Sequence, residues 1–281
     1  MPPFTALTGA FGGGEDAANQ PPHRQADALA RLLLEHGANP NDAQTLYNRQ
    51  FGASDDHLEL LFAFGLGRGD GDPWQHRLDG RIATPRQMLE DQLVAAAAHD
   101  YPSRVRLLLS HGVAADGVGT RHPIFHARRA IEIATRNGAT GIVELLRDAG
   151  ADPVTLDPVD ELLAACMRAD HAATAATDRA IVEQAIERDP GRIVEAAELG
   201  RHDTIRLLVD LGWDINARTR RTALHEAAYR GERALVDLLL SLGASPTIRD
   251  TSFNVTAAGW AEHNHHLELA NYLTEREAGH R

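Results

Sequence analysis

The sequence predicts an all-α solenoid of stacked helix pairs, and three observations lead there. First, the pattern Leu-Leu-x-x-x-Gly recurs at Leu32–Gly37, Leu60–Gly65, Leu107–Gly112, Leu145–Gly150, Leu207–Gly212 and Leu238–Gly243. Second, the position two residues ahead of each copy is Ala30, Leu58, Val105, Val143, Ile205 or Val236, an apolar spacing that suits one face of a helix. Third, the small pairs Ala96-Ala97, Ala134-Thr135, Ala196-Ala197 and Ala227-Ala228 stand sixteen and fifteen residues ahead of their glycines. Self-similarity of this kind marks a repeat architecture, in which one layer cannot bury its apolar face without the next.

Each layer reads from its residues in order. The alanines form the face of a short first helix whose neighbours can approach closely. Gly138, Gly200 and Gly231 follow where that helix must end in a left-handed residue, and Asp100 takes this place in the third copy. The leucine pattern is the second helix, and the final glycine is its exit.

The stretch Thr222-Ala-Leu-His-Glu-Ala-Ala-Tyr-Arg-Gly231, followed by Leu235-Val-Asp-Leu-Leu-Leu-Ser-Leu-Gly-Ala-Ser-Pro246, resembles the ankyrin repeat family. Thr222, Leu224, His225 and Ala227 keep the family's Thr-Pro-Leu-His-x-Ala entry, while Ala223 replaces the proline. Weaker entries stand at Thr5-Ala-Leu-Thr8 and Thr256-Ala-Ala-Gly259, and a degenerate pair runs from Glu161 to Arg188. The expectation is one ankyrin-type helix-turn-helix solenoid over residues 1–281, with about eight helix pairs, some degenerate. Residues 1–150 are irregular repeats with insertions, 151–191 the degenerate repeat, and 192–281 regular repeats with a polar C-terminal cap. The resemblance implies binding without chemistry, and it implies that His225 ties one repeat entry to its neighbour.

The anchor glycines are 28, 47, 38, 62 and 31 residues apart. Excess over a period of about 33 locates insertions. These fall at Gly12–Arg24, Gly65–Arg86 and Val113–His126, and their Gly, Pro and polar content predicts loops. With four residues ahead of Thr5, the first layer is expected to continue upstream, to be covered by a partner, or to be shielded by Phe11 and the Gly12–Pro22 loop.

Composition removes several chemistries. The chain of 281 residues has 40 acidic and 28 basic side chains, a net charge of −12, and every basic residue is arginine. No ε-amine is present for a Walker-A site or a Schiff base. The charge disfavours a nucleic-acid partner. A single cysteine, Cys166, cannot form an internal disulfide and reads as a small buried hydrophobe in a reducing, cytoplasmic setting. No membrane span or secretion signal is expected.

Motif by motif, no cofactor and no metal site is expected. Glu262, His263, His265 and His266 are dense in ligand types, but neighbours one or two apart on a helix diverge. His225-Glu226 begins a zinc-protease motif and then meets Tyr229 where the second histidine belongs. The glycines near Gly12 and Gly65–Asp72 lack the remaining parts of a phosphate or calcium loop.

A partner surface is expected on the concave and hairpin face. Its candidate residues are Trp74, His76 and Arg77 in the longest insertion, Arg218, Arg220, Arg221 and Tyr229 in the best-formed repeat, and Phe253, Asn254 and Trp260 in the next. Tryptophan, tyrosine and arginine are the types enriched at interface hot spots. The arginine-rich tip suits an acidic peptide. The competing reading is a ligand-binding or hydrolytic protein with a groove around residues 66–86.

Overall fold

The computed structural model describes residues 4–69, 77, 83–119 and 124–279, and seventeen helices run among them. The chain divides into two compact units, Met1–Thr135 with Ala139–Val154, and Arg136–Gly138 with Thr155–Arg281. Each has its own apolar core, one drawn from Leu7 to Ala151 and the other from Val159 to Leu273.

The N-terminal unit holds α1 (Ala6–Phe11), α2 (Ala26–Glu35), α3 (Ala43–Arg49), α4 (Asp56–Ala63), α5 (Pro85–Ala98), α6 (Pro102–Ser110), α7 (Ala130–Arg136, to Thr135) and α8 (Thr140–Asp148). First helices stack on first helices, α1 on α3 and α3 on α5, and second helices on second helices, α2 on α4 and α6 on α8. In the C-terminal unit α9 (Pro158–Met167), α10 (His171–Ala175) and α11 (Arg179–Arg188) precede three regular pairs. These are α12 (Arg192–Glu198) with α13 (His202–Leu211), α14 (Ala223–Tyr229) with α15 (Arg233–Ser241), and α16 (Ala257–His263) with α17 (Leu267–Ala278). Here α12, α14 and α16 stack in sequence. The alanine pairs at 96–97, 196–197 and 227–228 are fully buried between layers, as the small-residue pattern requires.

The turn between the two helices of a layer recurs in one form. The amides of Tyr101, Ala139, Asp170, Arg201, Glu232 and His266 each donate to the carbonyl five residues back, at 2.8–3.0 Å. The residue before each donor is left-handed, and Gly138, Gly200 and Gly231 fill that place at no steric cost. Asp100, Ala169 and His265 hold the same conformation with a Cβ, at φ of 58°, 52° and 62°.

The degenerate layer keeps this register. Ala165-Cys166 lies 31 residues ahead of Ala196-Ala197, so Cys166 occupies an alanine position and is fully buried. Burial pushes its thiol up to about 11. What degenerates is the second helix, which breaks into α10 and α11 and ends at Asp189 with no anchor glycine.

Two further local structures depart from simple loops. The third insertion pairs β1 (Val118–Gly119) with β2 (Arg128–Arg129) as a short antiparallel ladder, and β1 packs on α5. The first insertion closes on α3, with the Gly14 amide on the Asn48 carbonyl at 2.8 Å and the Tyr47 hydroxyl on Glu15 Oε1 at 2.5 Å. Phe11 is buried at its base.

The turn from α3 to α4 lacks the common form and is held from outside. Arg104 on α6, 0% exposed, donates from Nε to Asp55 Oδ1 at 2.6 Å. Its Nη groups reach the carbonyls of Gln50, Gly52 and Ser54 at 3.2, 2.6 and 2.8 Å.

Candidate functional site

In the C-terminal unit the connections α13–α14 and α15–α16 form two successive hairpin tips. The first is anchored below by Trp213, whose Nε1 donates to the Asp189 carbonyl at 2.9 Å. Asn216 joins the tips, accepting from the Ser245 amide at 2.7 Å and donating to the Gly243 carbonyl at 3.3 Å. The Thr251 amide donates to the Arg220 carbonyl at 2.9 Å, a second main-chain link.

Asp250 builds the second tip. Its Oδ1 accepts from the amides of Ser252 and Phe253 at 2.7 and 2.6 Å, and Oδ2 from the Val255 amide and Trp260 Nε1 at 3.0 and 3.2 Å. Burial alone would raise this carboxyl, but the amide and indole donors outweigh it and hold the group at about 2. Asn254 is left-handed at φ 57°, which turns the chain over the carboxylate. The result is a fixed loop that presents Phe253 with 71% of its surface exposed.

Beneath Phe253 lies a packed aromatic set. The Trp260 ring meets Phe253 edge-on at 6.2 Å, Tyr229 at 5.7 Å and His225 at 5.9 Å. Arg221 places its guanidinium 5.4 Å from the Trp260 centroid and pairs with the buried carboxylate of Glu226. Of the expected contact residues, then, Trp260 (9% exposed) and Arg221 sit inside the support of the tip, because the repeat entry buries Glu226 and needs a cation beside it.

The exposed cations are Arg218, Arg220 and Arg249. Arg218 Nη1 donates to the Arg249 carbonyl at 2.8 Å, and Arg249 Nη1 to the Asn254 carbonyl at 2.7 Å, so these two side chains run along the tips toward Phe253. Sequence reasoning missed Arg249 and Asp250. Arg249 stands 31 residues after Arg218, one repeat step, and was readable from the register. Asp250, five residues ahead of Val255, carries an Asx-turn signal in Asp-Thr-Ser.

His225 plays the tying role implied by the resemblance. Its Nδ1 accepts from the Thr222 amide at 3.2 Å, so Nε2 carries the proton and donates to the Val255 carbonyl at 3.2 Å. The ring is buried and its pKa is lowered by that burial. The histidine-rich turn is a second such tie, with His266 Nε2 3.1 Å from the Tyr229 carbonyl and its ring stacked where a Cβ on Gly231 would come within 2.5 Å. Among the described residues no three His, Cys, Asp or Glu side chains converge as a metal site, and no helix is long and apolar enough to cross a membrane.

Arg77 belongs to the N-terminal unit, exposed and in helical backbone. Trp74 and His76 lie outside the described residues.

Stacked two-helix layers joined by hydrogen-bonded hairpin tips define a helical repeat protein. The family model for ankyrin repeats, three copies long, matches residues 171–250 and again 193–280. Residues 171–280 therefore carry ankyrin repeats. No curated protein shows significant similarity to it.

Proposed function

We propose that this chain is a non-catalytic protein–protein interaction module, as ankyrin repeats generally are, which captures an acidic segment of a partner protein on the hairpin tips of its C-terminal unit. The observation that carries the reading is Phe253, held exposed by the Asp250 loop beside the exposed arginines 218, 220 and 249. An exposed aromatic on a rigid support costs little ordering on binding, and guanidinium groups supply paired donors for carboxylates.

Display selection against the full chain should enrich peptides rich in Asp and Glu around an apolar residue. Calorimetry with a selected peptide should then show at least a tenfold loss for Phe253→Ala and a weaker loss for Arg220→Ala, with affinity falling as salt rises. Selection of neutral or basic peptides, or unchanged affinity in Phe253→Ala, defeats the reading.

A further inference from the structure

A cavity of about 400 Å³ opens in the N-terminal unit between the loop after α4, the first turns of α5 and the loop after α6. It is built from departures from the repeat. Helix α5 begins 27 residues ahead of its anchor Gly112, whereas α14 begins 20 ahead of Gly243. The added turns carry Arg86, Leu89 and Glu90 into the cavity wall.

The opposite wall is fixed by Asn41, which accepts from the Gly67 amide at 2.8 Å and donates to the Arg68 carbonyl at 3.0 Å. Gly67 is required there. Its φ is +83°, and a Cβ would come within 2.5 Å of Leu89 Cδ1.

The lining divides into an apolar floor and a charged rim. Leu66, Leu89 and Val113 are buried side chains of the floor. The rings of Phe62 and His111 stack at 3.7 Å with parallel planes and close one side. At the rim Glu90, with its side chain 11% exposed, accepts from Arg86 Nε at 2.9 Å through one oxygen, which orients the guanidinium without engaging its Nη groups. Arg68 is exposed and makes no ion pair among the described residues. Two guanidiniums and one carboxylate thus line the mouth of a recess with an apolar floor, in a chain whose net charge is −12.

We propose that this cavity is a binding site for a small organic carboxylate with an apolar body. The body rests on Leu66, Leu89 and Val113, and the carboxylate meets Arg68 and the free edge of Arg86. A surplus cation selects the anion, and a recess of a few hundred Å³ with a small apolar floor suits a ligand of modest size. The inference stands on the N-terminal unit alone and is independent of the acidic-segment reading.

The test is a titration of the full chain with phenylacetate, followed by amide NMR. Expected is saturable binding with shifts at residues 66–68, 89–90 and 113. Phenylacetamide, the same shape without charge, should bind at least tenfold more weakly. Arg68→Gln with Arg86→Gln should cost phenylacetate at least tenfold while the melting temperature holds, since both side chains lie at the surface. Equal binding of phenylacetamide overturns the role of the arginines, and equal binding of inorganic phosphate at the same amides overturns that of the floor. Silence of those amides at millimolar phenylacetate overturns the site.

Discussion

Arg104 shows how far one side chain can reach in setting a backbone. Its fork engages a carboxylate and three carbonyls of the α3–α4 turn at once, so the guanidinium plane is the structure of that turn. Arg104→Lys keeps the charge and loses the fork, and urea unfolding should show a loss of about 3 kcal/mol, in the range for breaking a buried ion pair. Nothing near Arg104 in the sequence announces this, because every acceptor comes from residues 50–55. The same holds at the C-terminal tips. Phe253 and Asn254 were readable as an extension of the strip by one repeat, and Arg218 and Arg220 as a basic tip. That Arg221 and Trp260 turn inward follows from the buried Glu226 and from Asp250, whose contact with the Trp260 indole the local turn signal does not announce.

Helices and turns were more legible, since each layer repeats one arrangement of alanines, turn and leucines. Even the degenerate layer kept its first helix and its turn, and only the break into α10 and α11 was hidden. The β1–β2 ladder escaped because two residues per strand carry no alternation to read. The left-handed turn offers a direct test. Ala169 at φ 52° bears a Cβ where three sister turns have glycine. Ala169→Gly should raise stability by about 1 kcal/mol, visible as a higher urea midpoint at unchanged slope. The same change at Ala165, in the helix just before, should lower it.

Two separate cores make pH sensitivity a property of each unit. In the N-terminal unit His57 is driven well below its ordinary pKa of 6.5 by burial, with the charges of Arg104 and Arg49 adding to this. His99, flanked by Phe51 and Tyr101, is lowered to about 4 by burial and by Arg104. Both stay neutral in the fold and take up protons when it opens. Their contribution is therefore complete above pH 6.5 and drains away as pH falls toward 4. Among the described residues of the C-terminal unit, His225 is lowered by burial in the same way. Hydrogen exchange between pH 7 and 5, corrected for intrinsic rates, should show protection falling more steeply in residues 6–154 than in 155–279. His99→Gln should flatten that difference. The 31-residue step from Ala165 to Ala196 to Ala227 carries a different consequence. A chain cut at one of these turns and rejoined at the next recreates the same five-residue hydrogen bond across the seam. The turn is accordingly a joint whose closing hydrogen bond survives recombination between neighbouring copies, whatever the helices on either side.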